Sequence, residues 1–270
     1  MLIGQDKLIE DVHSRIIDGR YPRFSIVVGE NGSEKNLVGY EIAKRLHVNY
    51  VCIEDVKVDT IRNMIVEAYT VKTPTVYNII NADGMSIQAR NSLLKVTEEP
   101  PNKAYFVLVL EDENNTLPTI KSRGQIFKLA PYTAKALVEY STTVHGGSAV
   151  DARYILKLCE TPGDVDTVYR YNPAKFYEFV EKVVDNIAVT NGCNSFKISS
   201  SIAFKDEEDK YDLKLFWRAF CNVCLDKKYL YGILVTSRYM SQLKIRTINK
   251  SMLFDMWILD IRQEWADGSK

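Results

Sequence analysis

Two hydrophobic periods alternate along the first half of the chain. Short, nearly continuous apolar runs at Arg23–Val28, Tyr50–Ile53, Thr75–Ile80, Ala104–Leu110 and Gln125–Leu129 read as buried strands. Between them lie stretches with helical spacing. Leu37, Ile42, Ala43 and Leu46 share one face, as do Ile61, Met64 and Ile65 in a helix over 60–69 for which Asp59 is the expected N-cap. Ser86 is expected to cap a further helix to about Thr97, with Ala89, Leu93 and Val96 inward, and Pro100-Pro101 forbid its continuation. Asn114 to Pro118 reads as a turn and Ile120-Lys121-Ser122 as a short helical piece. This alternation predicts an α/β layer around a parallel sheet.

Beyond Pro131 the period-two signal stops and helices follow one another: 134–140, 149–158, 165–171, 173–188, 211–225, 231–239 and 251–264. Gly146-Gly147 and Thr161-Pro162-Gly163 separate the first three, and the polar run Asn191 to Lys210 reads as a solvated connection. At 270 residues the chain exceeds a usual single domain.

Composition narrows the function classes. The hydrophobic share of 46% and charged share of 26% are those of a globular protein, with no apolar run long enough for a membrane span. A cytoplasmic protein with no membrane partner is expected. Lys+Arg and Asp+Glu balance at 35 each, so any contact with nucleic acid is expected to be shared with partners. The cysteines (Cys52, Cys159, Cys193, Cys221, Cys224) are odd in number and read as free thiols. Cys221-x-x-Cys224 sits in an aromatic helical stretch without a second pair or a nearby His. It reads as buried helix cysteines rather than a zinc or redox site.

The candidate chemistry begins at Gly29-Glu30-Asn31-Gly32-Ser33-Glu34-Lys35-Asn36, between the first strand and its helix. That is the setting of a phosphate-binding loop, G-x-x-x-x-G-K-[ST], in which backbone N–H groups cradle phosphates, Lys reaches the terminal ones and the hydroxyl holds Mg²⁺. Gly29, Gly32 and Lys35 survive. Glu34 stands where the glycine before the lysine should be, and Asn36 where the hydroxyl should be. A carboxylate facing a polyanion repels it. An ordinary glycine-bearing turn between strand and helix is the plain alternative for this stretch.

Further along, Ser86-Ile87-Gln88-Ala89-Arg90-Asn91-Ser92-Leu93-Leu94-Lys95-Val96-Thr97-Glu98-Glu99-Pro100-Pro101 and Leu117-Pro118-Thr119-Ile120-Lys121-Ser122-Arg123-Gly124-Gln125 occur in order, with an apolar strand between them. They closely resemble the N-[AS]-L-L-K-x-[LT]-E-E-P-P and L-P-x-T-I-x-S-R-C-Q signatures of bacterial DNA polymerase III clamp-loader subunits. Val58-Asp59-Thr60-Ile61-Arg62 is similar to another segment of that family. The resemblance covers residues 1 to about 130 well, and is looser at Thr161-Pro162-Gly163 and Lys197-Ile198-Ser199-Ser200.

The resemblance implies an AAA+ architecture: an α/β domain with a degenerate P-loop over 1–130, a helical lid over 131–172 and a helical collar for oligomerisation over 173–270. It also lets each ATPase position be checked. The Walker B carboxylates, one for Mg²⁺ and one for the attacking water, fall on Ile80 and Asn81. Asp83 is nearby at the wrong position and is expected to be a helix-start or surface carboxylate. Asp164 stands where the sensor arginine follows Pro-Gly. The zinc module of many relatives is missing from His47–Ile53, so no metal is expected. What remains is Arg123, beside Ser122, at the position that in this family reaches a neighbour's ATP; a surface arginine in an ion pair is the plain alternative. Gly124 replaces the motif's Cys.

These residues point to a non-hydrolysing, delta-prime-like subunit. It would bind no cofactor itself, meet ATP–Mg only at the interface with a neighbour, and join motor ATPase and delta subunits as a hetero-oligomer. It would meet the sliding clamp and primed DNA through that complex. Two alternatives stay open: a divergent ATPase whose metal sits on Asp83 or Asp112, and a non-catalytic scaffold of a phage or plasmid replication complex.

Overall fold

The structure is a computed structural model and describes residues 2–189, 212–243 and 248–266. Cys193, the run Asn191 to Lys210 and the Lys197–Ser200 match lie outside the described residues. By contacts the chain divides into two compact units, Met1–Ala136 with Thr161–Gly163, and Leu137–Glu160 with Asp164–Lys270.

The first unit is a parallel five-stranded sheet, β1 (Phe24–Val28), β2 (Asn49–Ile53), β3 (Thr75–Ile79), β4 (Ala104–Leu110) and β5 (Gln125–Lys128), in the order β2-β3-β4-β1-β5. Each crossover carries a helix: α2 (Lys35–Leu46), α3 (Val58–Thr70), α4 (Ile87–Glu98) and the short α5 (Pro118–Lys121). Alternate residues of the central strands face opposite layers. Phe106, Leu108 and Leu110 of β4, with Ile26, Tyr77 and Ile79, pack against Ile61, Met64, Ala89, Leu93 and Val96 of α3 and α4. Val107 and Val109, with Val27 and Val76, pack against Val38 and Ile42 of α2 and against Leu8 and Val12 of α1 (Asp6–Ile17). A sheet covered on both faces explains why its strands read as unbroken apolar runs.

Two local expectations are corrected here. The chain opens with α1, which the sequence reading passed over; its Leu8, Val12 and Ile16 recur at i, i+4, i+8 and pack onto the sheet. Helix α3 starts two residues earlier than an Asp59 cap would require. Lys57 is the N-cap, without a side-chain cap bond, and Asp59 lies in the first turn, where a carboxylate favours the helix dipole instead. Ser86 does cap α4, accepting from the Ala89 N–H at 3.2 Å.

The second unit is helical among the described residues: α6 (Ala134–His145), α7 (Ala149–Leu158), α8 (Pro162–Tyr171), α9 (Pro173–Val189), α10 (Leu213–Asp226), α11 (Leu230–Gln242) and α12 (Lys250–Ala266), the ends of α6 and α8 reaching into the first unit. Helix α6 ends at Gly146, whose φ of +65° suits a residue without Cβ. Ser148 and Asp151 form a capping box on α7. Phe216, Trp217, Phe220, Phe254 and Trp257 build an aromatic core, with Phe220 and Trp257 centroids 4.8 Å apart and Trp257 Nε1 donating to Thr236 Oγ1 at 3.0 Å. Cys221 and Cys224 lie on α10 inside this layer, where burial pushes the Cys221 thiol up to about 11 and Cys224 higher still. Among the described residues no helix is long and apolar enough to cross a membrane.

Replacing Ser86 with Ala removes the α4 cap and is expected to cost about 1 kcal/mol of stability, read as a lowered urea midpoint with an unchanged slope. An unshifted midpoint would show that the cap bond contributes nothing.

Candidate functional site

The glycine-containing loop leaves β1 at its C-terminal end, where the Gly29 N–H donates to Leu110 O at 3.1 Å. Two of its residues take left-handed backbone. Gly32 has φ +80°, and Glu34, the N-cap of α2, holds φ 56°. That left-handed conformation is why a glycine belongs at this position; the chain keeps the shape with a residue for which it is strained.

The loop is tied together by its own groups and by neighbouring residues. Glu30 O accepts from Ser33 N (3.2 Å), Ser33 Oγ (2.6 Å) and Lys35 Nζ (3.1 Å). Tyr132 Oη donates to Ser33 O at 2.6 Å, and the Gly163 N–H donates to Gly32 O at 2.9 Å. A Cβ on Gly32 would meet Thr161 Oγ1 at 2.6 Å, and one on Gly163 would meet Gly32 Cα at 2.7 Å. The segment Thr161–Gly163 thus lies directly on the loop. Lys35 is buried, and desolvation pushes its ammonium below its ordinary value, against the smaller opposing pull of Glu111 and Asp83. Burial, with Glu34 nearby, pushes the Tyr132 phenol up. Asn36 carries no hydroxyl, and its backbone carbonyl is held by Asn78 Nδ2 at 2.8 Å.

At the end of β3 the Walker B places are occupied by Ile80, which is buried, and Asn81, at φ 57°. Asp83 lies at a helix start, as one half of its expectation had it, but it is not a surface carboxylate. It is buried in a short turn (Ala82–Gly84), where its oxygens accept from Glu111 N (2.7 Å), Asp112 N (3.5 Å) and Asn115 Nδ2 (2.8 Å). It tethers the turn after β3 to the end of β4. Asp112 caps another short turn through Asn114 N at 2.9 Å. Both acids offered for a metal therefore bind backbone donors. Among the described residues no cluster of His, Cys, Asp and Glu could hold a metal ion.

Asp164, at the sensor-arginine place, accepts from Glu160 N and from Arg218 Nη1, each at 2.9 Å. Arg218 also donates to Leu158 O at 2.7 Å and pairs with Glu160. Sequence reasoning missed Arg218, although a lone arginine within Phe216-Trp217-Arg218-Ala219-Phe220 signals a buried cation that needs partners.

Arg123 lies just after α5. Its Nη1 donates to Thr119 O at 2.7 Å and its Nη2 pairs with Glu98 Oε1 at 2.7 Å. Ser122 caps α5, its Oγ donating to Thr119 O at 3.1 Å. The structure does not bring these residues to the chain's own loop. Gln125 is level with Ser25 in the β1–β5 pairing, so Arg123 sits at the N-terminal edge of the sheet and Gly29 at the C-terminal edge. Six residues of strand at ~3.3 Å each put them roughly 20 Å apart. Gly124 has an explanation in packing: a Cβ there would meet Ile26 Cγ1 and Cδ1 at 2.8 Å and Phe24 Cε1 at 2.9 Å. Core side chains occupy the room that the family's cysteine would need.

Residues 47–133 match the family described as DNA polymerase III, delta subunit. The chain is 40% identical over 73 residues to DNA polymerase III subunit delta' of Bacillus subtilis (strain 168); the match covers 26% of this chain and 22% of that protein's length. The fold is similar to that of a DNA polymerase III gamma subunit-related protein from Thermotoga maritima, with a TM-score of 0.55 at 15% identity over 96% of this chain and 99% of that one. It is also similar to the Thermotoga maritima RuvB Holliday junction branch migration motor, with a TM-score of 0.51 at 16% identity over 79% of this chain and 87% of that one.

Gly124→Ala is expected to destabilise the protein by about 1–3 kcal/mol, with partial recovery when Ile26→Val removes the nearer methyl. Equal urea midpoints for wild type and the single variant would refute the packing account. The parallel sheet with its helices has the α/β fold shared with these AAA+-type solved structures, and residues 47–133 are similar to the family described as DNA polymerase III, delta subunit.

Proposed function

We propose that this chain is a non-hydrolysing, delta-prime-like member of a DNA polymerase III clamp loader and that it supplies Arg123 in trans to the ATP of a neighbouring motor subunit. The observation that carries the reading is the separation within one sheet: a guanidinium at the N-terminal edge, a self-bonded loop at the C-terminal edge. An arginine so far from its own loop cannot serve a nucleotide bound there, which supports a role at another chain's nucleotide. A planar, permanently charged fork against a γ-phosphate stabilises the charge that develops in phosphoryl transfer.

The rest of the assignment follows the same resemblance. Residues 131–172 would act as the lid and 173–270 as the collar that packs against motor and delta subunits, with the sliding clamp and primed DNA engaged through the assembly. ATP–Mg would sit at the Arg123 interface and not in the loop 29–36. Against hydrolysis in cis stand Ile80 and Asn81 at the carboxylate positions and the backbone bonds already made by Asp83 and Asp112.

Reconstitution with the motor subunits tests this. Arg123→Ala should lower kcat for ATP at the adjoining site by at least about tenfold, where trans arginines in GTPase systems contribute ~10³–10⁵. Arg123→Lys should fall between the two, keeping charge without the fork. The chain alone should bind ATP–Mg no tighter than about 1 mM by calorimetry, a free energy near 4 kcal/mol. Unchanged kcat in Arg123→Ala, or tight binding and turnover by the isolated chain, would overturn the proposal.

A further inference from the structure

The Arg123 side chain is held although it stands at an edge of the sheet. Its side chain is 35% exposed, with one nitrogen bonded to a carbonyl of its own short helix and another to Glu98. Both anchors are on fixed elements. Glu98 is the last residue of α4, which is pinned by the Ser86 cap at one end and stopped before Pro100-Pro101 at the other. Helix α4 and α5 share the core through Val96 and Ile120, both buried. The nearby lysines do not compete for Glu98. Lys121 and Lys128 both pair with Glu113, at 3.1 and 2.9 Å.

Resting on the trans-arginine reading above, we infer that Glu98 is a positioning residue: it orients the Arg123 guanidinium toward a neighbouring subunit's nucleotide. A guanidinium has five N–H donors in a rigid fork. The bonds to Thr119 O and Glu98 Oε1 take two of them and leave the others for a phosphate. The free arginine side chain carries about 2 kcal/mol of rotamer entropy, and holding it before the neighbour arrives removes part of that cost from the catalytic step. Because Glu98 is itself half exposed, the pair is weak in stability and its effect is on orientation.

Steady-state ATP hydrolysis by the reconstituted loader, with this chain as wild type, Glu98→Gln, Arg123→Ala or the double variant, tests the inference. Glu98→Gln keeps shape and removes charge, so an unshifted urea midpoint is the check that the fold is intact. The expected result is a kcat about threefold lower with KM for ATP unchanged, on the scale of a single exposed ion pair. In the Arg123→Ala background the same change should do nothing, because the group it orients is gone. Glu98→Asp should recover part of the loss.

Wild-type or raised kcat in Glu98→Gln, while Arg123→Ala is impaired, would overturn the positioning role alone. So would an equal loss from Glu98→Gln in both backgrounds. Full activity of Arg123→Ala would instead remove the trans-arginine reading, and this inference with it.

Discussion

Strand β1 is paired on both sides, to β4 through Phe24↔Phe106 to Val28↔Leu110 and to β5 through Ser25↔Gln125 to Val28↔Lys128. The chemistry of the first unit depends on that double pairing. All the strands run the same way, so whatever follows β1 emerges at one edge and whatever precedes β5 lies at the other. The register leaves no slack: a slip of one residue would turn Ile26 from the α3–α4 core to the α1–α2 core and bury the wrong face. Ile26 is also the side chain that fills the space beside Gly124. The core contact that fixes the register therefore also fixes where the Arg123 segment leaves the sheet.

Much of this was legible because it rests on periodicity and local chemistry. Strands buried on both faces betray themselves as apolar runs, and the Ser86 cap with Pro100-Pro101 marked both ends of α4. The P-loop outline, its altered Glu34 and Asn36, and the Ser122-Arg123 motif could all be read by position. What escaped depends on partners distant in sequence. Asp83 looks like any turn carboxylate until the end of β4 arrives to bond it, 28 residues on. Glu98 meets Arg123 only because α4 returns to the edge where β5 begins. The contact of Gly163 with Gly32 joins segments with no shared pattern. Helix α1 did carry a readable signal, since Leu8, Val12 and Ile16 fall on one face of it.

The loop at 29–36 closes on itself and on neighbouring residues through hydrogen bonds. A phosphate-binding loop carries backbone groups and a lysine that ordinarily find their partners in the ligand, and leaving such groups buried and unpaired costs about 1–3 kcal/mol each. Here Lys35 and Ser33 turn back to Glu30 O, Tyr132 supplies a donor to Ser33 O, and the Gly163 N–H supplies one to Gly32 O. Lys35 and Ser33 thus find partners inside the loop, while the bonds from Tyr132 and Gly163 satisfy carbonyls that a phosphate, itself an acceptor, could not. The left-handed Glu34 shows that the inherited backbone is held even at a cost in strain. The same loop is the turn that delivers α2 onto the sheet, where Val38 and Ile42 are fully buried beneath it. Changing its backbone would unseat that helix, whereas changing its side chains would not.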